Sequence, residues 1–172
     1  MSWNTFHHRG EILREVMTTA DRRRDGVLPM DVPGVTDHFT DELDLVGALQ
    51  LKWSARLSGN LERALQAQPV DLEVAVASAW RLTAEQLPGV RLVIDRAADH
   101  PASPEMEKSL RRAQELEWAR LATAAGLASG QDSAAAAAGR HLEERARRVA
   151  VAEPARQPMP SLADRIKAVL AA

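Results

Sequence analysis

Apolar residues recur along most of the chain at spacings of three and four, the period of a helix with one buried face. Ile12, Leu13, Val16 and Met17 form the first stripe, which predicts a helix over about 10–24 that stops at Asp25-Gly26. Residues 27–35 carry Pro29, Pro33 and Gly34 and read as a loop. Thr36 or Thr40 is the expected cap of a long second helix running to about residue 68, before Pro69. Phe39, Leu43, Val46, Trp53 and Leu57 mark its buried face, and Leu45, Leu49, Leu61 and Leu65 widen it.

Asp71 is the expected cap of a third helix, with Leu72, Ala75, Val76, Ala79, Trp80 and Leu87 turned inward. Pro88-Gly89 breaks that helix, and Pro88 suits the first turn of a short fourth one through Val90, Val93, Ile94 and Ala97. Ser103-Pro104-Glu105 supplies a cap, a first-turn proline and a first-turn acid. The fifth helix is expected to run to about residue 127, with Met106, Leu110, Ala113, Leu121 and Ala124 on one face. No segment alternates as a half-buried strand does. The expectation is an all-α fold, a multi-helix bundle of about six helices with a C-terminal helical arm.

The last third differs. Asp132 or Ser133 should cap a helix to about residue 152, but its large apolar residues are only Leu142, Val149 and Val151. Alanine favours helix strongly yet buries little area, so this helix must either pack closely through small residues or lie at the periphery. Arg140, Arg145, Arg147 and Arg148 interleave with Glu143 and Glu144 and read as a solvated face with local ion pairs. The expected bundle covers 1–152. Residues 153–172 form a Pro-rich linker followed by a short amphipathic tail helix, with Ser161-Leu162-Ala163-Asp164 as its opening box and Leu162, Ile166, Val169 and Leu170 as its stripe. An isolated helix of about ten residues is marginal in water, so the tail is expected to dock on its own or a neighbouring chain.

Composition narrows the chemistry. The 172 residues contain no Cys and no Tyr, which removes disulfides, thiolate metal sites and a cysteine nucleophile. Twenty-two Lys and Arg face 24 Asp and Glu, a formal net charge of −2, unlike a protein that reads nucleic acid directly. Only Lys52, Lys108 and Lys167 are lysine; the arginine and alanine bias fits a GC-rich bacterial genome better than a phosphate-reading surface. A prolined loop and a long apolar helix after the first also fit a helix-turn-helix poorly. No apolar run reaches transmembrane length, and the first ten residues lack the apolar core of a secretory signal. A cytoplasmic protein without membrane contact is expected.

Two constellations could carry chemistry. His7 and Glu11, like His38 and Glu42, stand four residues apart and so share a helix face; with His8 and Asp41 they are the weak candidates for a metal or acid–base site. The Glu-x-x-His pair of carboxylate-bridged bundles is missing. Asp31, Asp37, Asp41, Glu42 and Asp44 form an acidic stretch without an EF-hand spacing, best read as a helix N-terminus favoured by its dipole. Of Trp3, Trp53, Trp80 and Trp118, at least two are expected in the core. Phosphate-binding glycine loops and nucleophile turns are missing from the sequence. No catalytic residue and no cofactor is therefore assigned. The expected function is association without catalysis, as a homodimer or with a protein partner through the C-terminal arm. The competing expectation is a small-molecule- or metal-binding bundle, possibly enzymatic, using the His7/His8 and His38 regions.

Overall fold

The computed structural model describes the backbone of residues 3–152 and the side chains of residues 8–148; the linker and tail expected over 153–172 lie outside the described residues. Seven helices follow one another: α1 (Trp3–Arg23), α2 (Val35–His38), α3 (Glu42–Gln66), α4 (Leu72–Gln86), α5 (Pro88–Asp99), α6 (Pro104–Ala124) and α7 (Ser133–Ala152). There is no strand among the described residues. The fold is an all-α multi-helix bundle. None of its described helices is long and apolar enough to cross a membrane.

Four starts follow from side-chain oxygens that accept an otherwise unpaired first-turn N–H. Asp41 accepts from Asp44 at 2.8 Å, Asp71 from Val74 at 3.0 Å, Ser103 from Met106 at 3.1 Å and Asp132 from Ala135 at 2.8 Å. Helix α5 has no cap of its own. Asp21 on α1 accepts the Gly89 N–H at 2.7 Å instead.

Several boundaries differ from expectation. The first helix starts seven residues earlier than 10, at Trp3, and Arg9 on this added turn pairs with Asp44 at 2.7 Å and lies 4.1 Å over the Phe39 ring. Neither Thr36 nor Thr40 caps the long helix. Val35–His38 is a separate turn ended by extended Phe39, which is 2% exposed, and Asp41 opens α3. At the end of α6, Gly126 has φ 72°, and the N–H groups of Gly126 and Leu127 return to the carbonyls of Thr123 and Ala122. This glycine-closed stop ends the helix at Ala124 rather than 127. Leu72 was expected inside but is exposed, as is Val74 on the same first turn of α4.

The main core cluster includes Phe39, Leu45, Leu49, Trp53, Leu57 and Leu121, and a smaller one joins Val46 of α3 to Met106 and Leu110 of α6. Its thin side is closed through small residues. Ala119 and Ala122 of α6 meet Ala135 of α7, and at Gly139 an added Cβ would stand 1.8 Å from the Trp118 carbonyl oxygen. Only glycine permits this approach. Helix α7 thus packs backbone to backbone on α6, where Leu142 and Ala146 join the main core.

Candidate functional site

Five helices converge on a buried group of charges. Helix α3 brings Trp53, α4 brings Trp80, α5 brings Arg91 and Asp95, α6 brings Glu117 and Trp118, and α7 brings Glu143 and Arg147. Glu117 is 5% exposed, Glu143 4% and Arg91 6%. The Glu117 carboxylate accepts the indole N–H of Trp53 at 2.8 Å and of Trp80 at 3.1 Å, with Arg91 Nη1 at 3.4 Å. Arg91 also donates twice to Asp95, at 2.9 and 2.5 Å. Arg147 ties the far side, donating to both Asp95 oxygens at 2.9 Å and to Glu143 at 2.6 Å. Trp118 donates its indole N–H to Glu143 at 2.5 Å. The guanidiniums complete the packing, Arg91 4.8 Å from the Trp53 ring and Arg147 4.9 Å from Trp80.

Three carboxyls therefore face two guanidiniums. Burial pushes the Glu117 carboxyl above its ordinary value, and the neighbouring Glu143 adds to the rise against the opposing pull of Arg91 and the two indoles. Burial works the same way on Asp95, but Arg147 and Arg91 outweigh it and hold that carboxyl below the ordinary range. Arg147 stays charged, since Asp95 and Glu143 overcome its own desolvation. Every buried polar side-chain atom among the described residues has a hydrogen-bond partner within the protein. The polar groups are turned on one another and tie α3, α4, α5, α6 and α7 together.

On its outer side the cluster borders a cleft of about 330 Å³ lined by Asp95, Trp118, Glu143 and Arg147. A larger groove of about 790 Å³ adjoins it between α6 and α7, sharing Trp118, and is lined also by Leu116, Ala136 and Ala137. A third groove of about 600 Å³ lies between α3 and α6 and shares Leu116 and Gln131 with the second. The outer face of α6 is thus flanked by grooves on both sides.

The residues singled out by spacing sit on α1–α3 and take no part in this cluster. The His8 and His38 rings stack 6.3 Å apart and nearly parallel, at 7°. Arg9 reaches the His38 carbonyl and Asp44. Glu11 is exposed, 3.9 Å from Arg14, and Glu42 is exposed on the first turn of α3. The His7 side chain lies outside the described residues. Spacing thus brings one histidine from each pair together without their carboxylates, and the described residues contain no group of three His, Asp or Glu able to hold a metal. The acidic stretch resolves into caps and pairs: Asp41 and Asp44 at the start of α3, Asp31 against Arg23 at 2.5 Å.

Sequence reasoning missed Arg91, Asp95, Glu117, Glu143 and Arg147. It placed Glu143 and Arg147 on a solvated face, whereas Glu143 is buried and Arg147 spans from α7 to α5, because the close α6–α7 approach draws that side of α7 inward. One signal was present. Glu117 falls in the apolar register of Met106, Leu110, Ala113, Leu121 and Ala124, where a charge requires a partner. No protein-family model matches the chain, and no curated protein or solved structure matches it either.

Proposed function

We propose that this chain is a non-enzymatic helical-bundle protein that acts through association, first with a second copy of itself as a homodimer, its C-terminal third supplying the contact. The observation that carries this reading is the outer face of α6. Leu116, 42% exposed, stands between two open grooves, and Ala136 and Ala137 beside it let another backbone come close. A single exposed leucine is ordinary. A leucine ridge between two grooves is what helix packing uses, since ridges of one helix fill the grooves of another. Arg112, Glu115, Arg140 and Glu144 around the groove supply the polar rim common to such interfaces.

Light scattering across micromolar concentrations tests this. Twice the chain mass is expected, with a shift to single-chain mass for Leu116→Asp and no change in its helical circular dichroism. A single-chain mass for the unaltered protein at every concentration would remove the homodimer.

The second reading, a small-molecule- or metal-binding bundle built on the His7/His8 and His38 regions, is favoured by one observation, the stack of His8 on His38. Metal analysis of unsupplemented protein, compared with His38→Ala, decides it. The absence of stoichiometric metal, together with no ligand-dependent change in melting, would remove it.

A further inference from the structure

We propose that the α6–α7 groove is filled by residues 161–171 of a second copy of the chain, each subunit lending its tail to the other. This rests on the association reading and names the segment that makes the contact.

The segment and the groove match in length and chemistry. The groove runs along residues 133–144 of α7, a span of about 18 Å, while an eleven-residue helix is about 16 Å long. Leu162, Ile166, Val169 and Leu170 form a single apolar stripe at helical spacing, and a helix this short needs a host to persist in water. The groove offers Leu116 and Trp118 as apolar surface, with Ala136 and Ala137 as small positions for close approach. Both signs of charge occur around it, Arg112 and Arg140 beside Glu115 and Glu144, as both occur on the tail in Asp164, Arg165 and Lys167.

Linker geometry selects a second copy over the same chain. Pro154, Pro158 and Pro160 fix their own φ, and each restricts the residue before it to extended conformations. Glu153, Gln157 and Met159 are those residues, so six of the nine positions 153–161 favour an extended rod. Such a rod reaches about 28 Å at about 3.1 Å per residue. Folded straight back from Ala152, it would carry Ser161 to about the level of residue 133, at the far end of its own groove. Docking in the same chain then needs two chain reversals. A neighbouring copy can present its groove ahead of the rod, without this constraint.

The absence of cysteine allows a clean test. Ala137→Cys and Ile166→Cys chains, co-expressed and treated with a short bismaleimide, should give a cross-linked pair containing one of each. Glu15→Cys, on α1, which among the described residues packs on neither α6 nor α7, should give none with Ile166→Cys. An intrachain link alone in the double variant would place the tail in its own groove and overturn the proposal. No cross-link, or one equal to the Glu15→Cys control, would also overturn it. In those cases a dimeric mass by light scattering leaves the association reading standing, and a monomeric mass removes both.

Discussion

Glu117 shows how far one side chain can depart from its surroundings on the helix. It occupies the stripe that buries Met106, Leu110 and Leu121, yet it is a carboxyl held by two indoles and one guanidinium. Its folded value is raised above the ordinary 4.5 by burial and then by Glu143. The sign of the consequence is definite. A carboxyl with a raised folded value contributes stability while protonated, below its ordinary value, and that contribution is lost as pH climbs through the folded value. Glu117→Gln keeps the shape and an acceptor oxygen but has no charge to desolvate. Its stability relative to the unaltered protein, from urea melts, should therefore rise as pH is taken from about 4 to about 8. A difference independent of pH would show that Glu117 ionises as easily when folded as when unfolded. Asp95 has the opposite sign, because the two arginines lower its value. It contributes stability above the ordinary carboxylate range and loses it in acid.

At the scale of elements, the contact between α6 and α7 depends on an absent side chain. Gly139 lies in the middle of α7, where helix propensity alone would favour alanine by about 1 kcal/mol. The Cβ has nowhere to go, since backbone atoms of Trp118 would lie 1.8 and 2.3 Å away. Gly139→Ala should therefore lower stability by about 1–3 kcal/mol despite its propensity gain, as the helices are forced apart. Gly47 is the matched control, exposed on α3 with nothing within 4 Å of an added Cβ. There alanine should raise stability by about 0.5–1 kcal/mol. Thermal melts of the two variants should move in opposite directions. A gain at both positions would mean that α7 packs less closely than described.

For the whole molecule, the meeting of five helices at one charged cluster implies cooperative unfolding. A partly opened bundle would leave buried charges without partners, at a cost of about 3–5 kcal/mol for a broken buried pair. Trp53, Trp80 and Trp118 all donate to that cluster, and with no Tyr in the chain a Trp3→Phe variant leaves their emission alone to report on it. Urea transitions followed by tryptophan emission and by far-ultraviolet circular dichroism should coincide. Emission changing well before the helical signal would show that the cluster opens while helices persist. On the proposed association through residues 153–172, their removal should lower the mass to that of one chain and leave the two transitions coincident.

Much of this fold was legible in the sequence because its causes are local. Asp71, Ser103 and Asp132 cap helices by bonding N–H groups three residues away, and Pro88 and Pro104 suit first turns wherever they occur. The apolar stripe through Val46, Trp53 and Leu57 likewise needs only the helical period to identify its buried face. The charged cluster was not legible. Arg91 and Glu117 are 26 residues apart, and Trp53 and Glu117 are 64 apart; the apolar register of Glu117 calls for a partner, but nothing along the chain says which residues supply it until the helices cross. The histidine pairing failed for a related reason, since spacing of four sets a shared face on one helix but says nothing of what faces it. By itself, the sequence determined the all-α class, most helix starts and the apolar faces. The tertiary structure alone decided that α7 belongs to the core, that its charges turn inward, and where the grooves lie. Burial and charge pairing depend on which helices approach and how closely, and missing side chains set that distance, at Gly139 between α7 and α6 and at Gly89 between α5 and α1.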